Sequence, residues 1–202
     1  VKQHRLGSNE FSIETPGGIV QAEVVEERNG KAGTVKVDMG KAIFESSKIP
    51  VKASTAECID YTLNLEYQDY QINCVSVGNP HCVILKDELD EKDVKTFGPQ
   101  IENNPMFPNR INVQFAKVLS RSEVEIMIWE RGAGETQASG SSSCAAASAA
   151  VKLGLVKGPV TVKMPGGTLN IKVAGDFSLT MKGPVAEVAR GTLSPSFVRS
   201  LR

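Results

Sequence analysis

One short pattern occurs twice in this chain, and the repetition limits its possible folds more than any other feature. "TPGGIVQAEVVEERNGKAGTVKVDMGKA" (Thr15–Ala42) and "MPGGTLNIKVAGDFSLTMKGPV" (Met164–Val185) share one outline. Each is a Pro-Gly-Gly turn, a strand, a second turn, a second strand and a closing Met and Gly. Apolar and polar residues alternate within the strands, as half-buried hairpins require. A recurrence of this kind predicts two equivalent structural units. Upstream of the second copy, "AAVKLGLVKGPVTVK" reads as a helix end followed by a strand, and "VKQHRLGSNEFSIE" repeats that outline before the first. The second copy has a helix and many strands before it, whereas the first begins where a helix should already be ending. The expected organisation is a truncated first lobe at 1–46, a second lobe at 47–183, and a returning segment and tail at 184–202.

Between the copies the chain reads mostly as short strands: "EYQDYQINCVSVG", "HCVILKD", "INVQFAKVL" and "EVEIMIWE". Two helices stand out. "DEKDVKTFGPQIENN" places Val94, Phe97 and Ile101 at helical spacing. "SSSCAAASAAVKLGL" is so rich in alanine that burial among close-packed strands is expected.

Charge and composition narrow the function. Lys and Arg number 23 and Asp and Glu also 23, so no basic excess is available to neutralise nucleic acid or an anionic membrane. Any anion must be held locally. Cys58, Cys74, Cys82 and Cys144 show no metal-ligand spacing, and only His4 and His81 could join them. The expectation is buried free thiols, no metal and a reducing compartment. No apolar run reaches membrane-spanning length and no signal segment opens the chain, so the expected location is cytoplasmic.

Three polar clusters could carry chemistry. Ala138 to Ser143, "ASGSSS", precedes the alanine-rich helix. Outward-pointing N–H groups and the helix dipole there suit a carboxylate or phosphate, although serine also caps helices for stability alone. Glu130-Arg131-Gly132 ends a strand. Arg131 could pair with a carboxylate and Glu130 with an ammonium, or the two could form a surface ion pair. "VGNPHCVI" (Val77–Ile84) puts Asn79 and His81 at a turn between strands, and "RIN" adds Asn112 before another. His81 could orient a neighbour or move a proton.

"GNPHCVI", "FPNRINVQF" and "ERGAGETQASGSSSCAAASAA", in this order, resemble the diaminopimelate epimerase family. The resemblance extends over nearly the whole chain. It implies two pseudo-symmetric α+β lobes, each a curled mixed sheet around a central helix. It also implies an isomerase that inverts an amino-acid α-carbon, converting LL- to meso-diaminopimelate for lysine and peptidoglycan precursors, with neither pyridoxal phosphate nor metal. In that family a cysteine from each lobe flanks the substrate, one removing the proton and the other returning it. Such a reaction needs a base and an acid on opposite faces, and a thiol at a helix N-terminus suits both tasks. Carried over, the resemblance makes Asn79, Asn112, Glu130 and Arg131 substrate-binding. The backbone of Gly140 and Ser141 would hold the carboxylate. The implied catalytic set is Ser139, His81 and Glu130, with no cofactor.

Two departures stand against a working enzyme. Ser139 occupies the family's cysteine position, and a helix dipole does not ionise a serine hydroxyl near neutral pH. The segment carrying the opposite cysteine has no counterpart here, so a missing N-terminal half or a homodimer partner is expected, and this chain alone is expected to be weak or inactive. A non-catalytic amino-acid binder and an isomerase for another substrate remain alternatives.

Overall fold

The computed structural model describes residues 8–15, 18–189 and 191–200. The expected helix end at residues 1–7 and the first Pro-Gly turn at 16–17 lie outside the described residues.

Both copies of the repeated pattern fold as three-stranded antiparallel meanders. The first comprises β1 (Glu10–Thr15), β2 (Gly18–Arg28) and β3 (Lys31–Lys41); the second comprises β10 (Pro159–Met164), β11 (Gly167–Val173) and β12 (Ser178–Pro184). Thr15 pairs with Gly18 in one and Met164 with Gly167 in the other, so the first two strands of each meander pair in the same register relative to the repeated pattern. Asn29 and Gly30 both have positive φ, which closes the β2–β3 hairpin in two residues. β3 then pairs antiparallel with β12. The sheet order β1-β2-β3-β12-β11-β10 therefore reads the same from either end of this pair, as an approximate two-fold axis between β3 and β12 would produce.

The remaining strands extend the same sheet: β4 (Tyr61–Asn64), β5 (Asp69–Ser76), β6 (Pro80–Leu85), β7 (Asn112–Ser120), β8 (Glu123–Glu130) and the short β9 (Gly134–Thr136). β10 continues into β8, then β7, β6, β5 and β4, while β9 pairs with β8 off this path. Pairs β6/β7 and β8/β10 are parallel and all others antiparallel, giving the mixed α+β sheet expected. β4 carries little sequence signal because Leu63 is its only buried residue.

Helices cover both faces. α1 (Glu91–Glu102) packs on the outer face through Val94 and Ile101. α2 (Gly140–Lys152) touches β5 to β8 and β10 to β12, so the sheet curls around it. Its alanines are the reason this is possible: Ala145, Ala146, Ala147, Ala149 and Ala150 are fully buried and keep the strands close. The helix ends in a Schellman turn, with Leu155 N–H bonded to Ala150 O at 3.0 Å and Gly154 N–H to Val151 O at 2.9 Å. A third helix, α3 (Pro195–Ser200), lies exposed near the end of the chain. Among the described residues no helix is long and apolar enough to cross a membrane.

Two apolar clusters result. Alternate residues of β5 to β8 face α2 (Val75, Val83, Ile126, Ile128) or α1 (Ile72, Ile84, Phe115). Because both faces are covered, β5, β6 and β7 carry runs of four or more consecutive buried residues, as "HCVI" does in sequence.

Candidate active site

β6, β7 and β8 bring Asn79 and His81, Asn112, and Glu130 with Arg131 to one end of the sheet. His81 pairs in register with Asn112 across the parallel β6/β7 ladder, and Val113 pairs with Trp129 next to Glu130. The N-terminal ends of β6 and β7 therefore meet the C-terminal end of β8. Gly78, at φ 99°, makes the turn that presents Asn79.

A hydrogen-bonded chain joins this sheet end to the start of α2. His81 Nε2 lies 2.9 Å from Asn79 Oδ1, and His81 Nδ1 lies 3.3 Å from Gln114 Oε1. Gln114 Nε2 donates to Ser142 Oγ at 3.1 Å. His81 is fully buried, and burial pushes its imidazole down to about 3. The Gln114 bond pulls the other way and the positive charge of Arg131 adds to the depression. The ring is thus neutral and carries one N–H. That single N–H donates to one of the two amide oxygens that face the ring.

The turn after β8 is held by the Asn112 side chain of β7 and a backbone carbonyl of the α1–β7 connection. Asn112 donates to Pro80 O at 2.8 Å and accepts from the Arg131 N–H at 3.0 Å. Arg131 Nη1 donates to Asn109 O at 3.0 Å. Glu130 ends β8 half-buried, opposite Gly134.

At the helix start Ser139 is extended, and its Oγ accepts from the Ser142 N–H at 3.4 Å. The N–H groups of Gly140 and Ser141 have no acceptor within the helix. Their neighbourhood is tightly packed. A side chain at Gly140 would come within 2.8 Å of Met181 Sδ, and one at Gly166 within 2.9 Å of Gln137 O. Met164 Sδ accepts from the Ser139 N–H at 3.4 Å and the Ser143 hydroxyl at 3.2 Å. The second meander thus braces the helix start from behind. Cys144 gives no alternative base: it is buried, and burial pushes its thiol up to about 12.

All eight candidates, Asn79, His81, Asn112, Glu130, Arg131, Ser139, Gly140 and Ser141, belong to this assembly. Sequence reasoning missed Gln114, which had a signal, a lone amide inside the apolar run "INVQFAKV".

The same curled mixed sheet around a buried helix occurs in solved structures of low sequence identity. The structure of a hydroxyproline epimerase from Agrobacterium vitis matches at TM-score 0.63 and 14% identity, covering 90% of this chain and 58% of that one. A predicted epimerase from Pseudomonas aeruginosa matches at TM-score 0.61 and 18% identity, covering 95% of this chain and 68% of that one. The family itself is shown by sequence. The model described as diaminopimelate epimerase matches residues 73–188, and the chain belongs to that family. It is 49% identical over 184 residues to diaminopimelate epimerase 2 of Nostoc sp. (strain PCC 7120) and 40% identical over 180 residues to diaminopimelate epimerase of Ectopseudomonas mendocina. These alignments cover 91% and 89% of this chain, and the chain spans 63% of the length of either relative.

Proposed function

We propose that this chain forms the substrate-holding part of a cofactor-independent isomerase acting at the α-carbon of diaminopimelate, LL to meso. The observation that carries this reading is the bonded chain from Asn79 through His81 and Gln114 to Ser142. It couples a polar cluster suited to an amino-acid head group with a helix N-terminus suited to its carboxylate. Asn79, Asn112, Glu130 and Arg131 bind the substrate, and the N–H groups of Gly140 and Ser141 receive the carboxylate. In the full reaction a base on one face takes the α-proton and an acid on the other returns one, with no net gain or loss.

His81 serves by position: a ring held neutral near pH 7 fixes Asn79 and shuttles no proton. Ser139 stands where the resemblance implies a thiol. Its hydroxyl caps the helix, and no base lies against it among the hydrogen bonds of the described residues. The polypeptide alone is therefore weak or inactive, and 1–46, 47–183 and 184–202 are read as a first-lobe tail, a second lobe and a returning segment. A homodimer partner or an N-terminal half would complete the site. Four reduced, buried cysteines support a cytoplasmic setting.

The same Ser139 geometry favours a second reading, a non-catalytic binder of amino acids. Deuterium uptake at the α-carbon of diaminopimelate separates the two, followed with the chain alone, with Ser139→Cys, and with an added N-terminal half of the Nostoc relative. The isomerase reading expects exchange only when thiols stand on both faces. Calorimetric binding with no exchange in any combination leaves the binder.

A further inference from the structure

Glu102 is the last residue of α1, and it is badly placed for the helix. A carboxylate at a helix C-terminus opposes the dipole, and its side chain is only 6% exposed. Three donors converge on it. Arg110 Nη1 and the Gly132 N–H reach Oε1 at 3.0 and 2.8 Å, and Trp129 Nε1–H reaches Oε2 at 2.7 Å. Arg110 makes its bond from a left-handed backbone conformation, φ 57°. An apolar residue would anchor α1 at lower desolvation cost, so stability of the helix does not account for this carboxylate.

What these bonds do hold is the turn after β8. Glu102 takes the Gly132 N–H, and Asn112 takes the preceding one, that of Arg131. Two consecutive backbone donors are thus claimed by side chains from α1 and β7. The path of the chain through Arg131 is determined on both sides, and Asn109 O fixes the guanidinium at its far end. We infer that Glu102 is a positioning residue for Arg131, aiming its guanidinium at the substrate. This inference rests on the reading of Arg131 as substrate-binding.

A double-mutant cycle tests it, with meso-diaminopimelate as the probe and calorimetry as the readout. Glu102→Gln is expected to raise Kd roughly tenfold beside Arg131 and less than about twofold in an Arg131→Ala background. Equal effects in both backgrounds would mean a structural role only and would overturn the inference. Amide hydrogen exchange is read in parallel. Glu102→Gln is expected to speed exchange at Arg131 and Gly132 while leaving α2 unchanged, and unchanged exchange at both residues also overturns it. If the unmutated protein does not bind the probe yet Gly132 exchange accelerates, the positioning role stands and the substrate reading fails. Should Glu102→Gln not fold, the same measurements apply to Glu102→Asp, whose shorter carboxylate does not span Gly132 and Trp129 together.

Discussion

His81 is fully buried, and its protonation is tied to folding. Its ring titrates at about 3 in the folded chain against an ordinary 6.5, so between those values the unfolded chain binds a proton that the native one does not. The contribution of the neutral ring is complete above pH 6.5 and is lost as pH falls, by up to ~1.4 kcal/mol per pH unit. Chemical denaturation of the protein and of His81→Gln should therefore converge between pH 6.5 and 4; parallel curves would exclude His81 as the titrating group. Arg131→Ala is expected to weaken diaminopimelate binding by about 1.5–3 kcal/mol, the range for a charged hydrogen-bonding group, and calorimetry reads this directly. At this scale the sequence was informative where a residue's type and its turn agree. Asn79, Arg131 and Gly140 announce themselves beside strand ends and glycines. Gln114 shows only as a lone amide in an apolar run, its partners His81 and Ser142 being 33 and 28 positions away, and Glu102 not at all, since Trp129 and Gly132 lie 27 and 30 positions away and meet it only in the folded sheet.

α1 and α2 were both legible from spacing and composition, and their ends follow ordinary capping chemistry. Asp90 caps α1 by accepting from the Lys92 N–H, and Ser139 caps α2. Two glycines in these elements serve different purposes. A Cβ at Gly98 would lie 2.6 Å from Trp129 Cγ, at the backbone end of a partly buried ring whose Nε1–H is held by Glu102. Gly98→Ala should destabilise by ~1–3 kcal/mol through overpacking, despite the helix-propensity gain of about 1 kcal/mol. Emission of Trp129, the single tryptophan, should shift with it. Gly154 has open space around it but φ 72°, so Gly154→Ala should cost only ~1–2 kcal/mol, all of it backbone strain at the Schellman turn. Thermal unfolding of the two variants, with a fluorescence change confined to the first, checks the distinction.

For the whole molecule, the two meanders meet at β3 and β12, and the chain must then cross to β4 and close around α2. Phe44 marks that crossing. It is buried, its ring packs edge-on against Phe177 with centroids 5.0 Å apart, and Lys152 lies 5.0 Å above its face. Lys152 is also paired with Glu57 at 2.7 Å. One aromatic residue thus ties together the end of β3, the β11–β12 turn and the last turn of α2. Phe44→Ala is expected to cost ~3–5 kcal/mol, seen as a lowered denaturant midpoint for the whole cooperative transition. A loss confined to the β1–β3 amides in hydrogen exchange would instead show that the first meander opens independently.

The sequence alone determined the parts that depend on neighbouring residues. Hairpin turns follow from Pro-Gly-Gly and Asn-Gly, helix starts from Asp90 and Ser139, and burial of α2 from its alanines. The internal repetition and the long motifs around Asn79, Asn112 and Ser139 were enough to identify the family. Tertiary structure decided what distance along the chain conceals. It set β3 against β12, sealed His81 away from water between two amides, and turned a helix-terminal glutamate inward to hold the turn at Arg131. The reason is physical: local preferences act through a few bonds, whereas the environment of a buried polar group is made by strands that meet only when the sheet has closed.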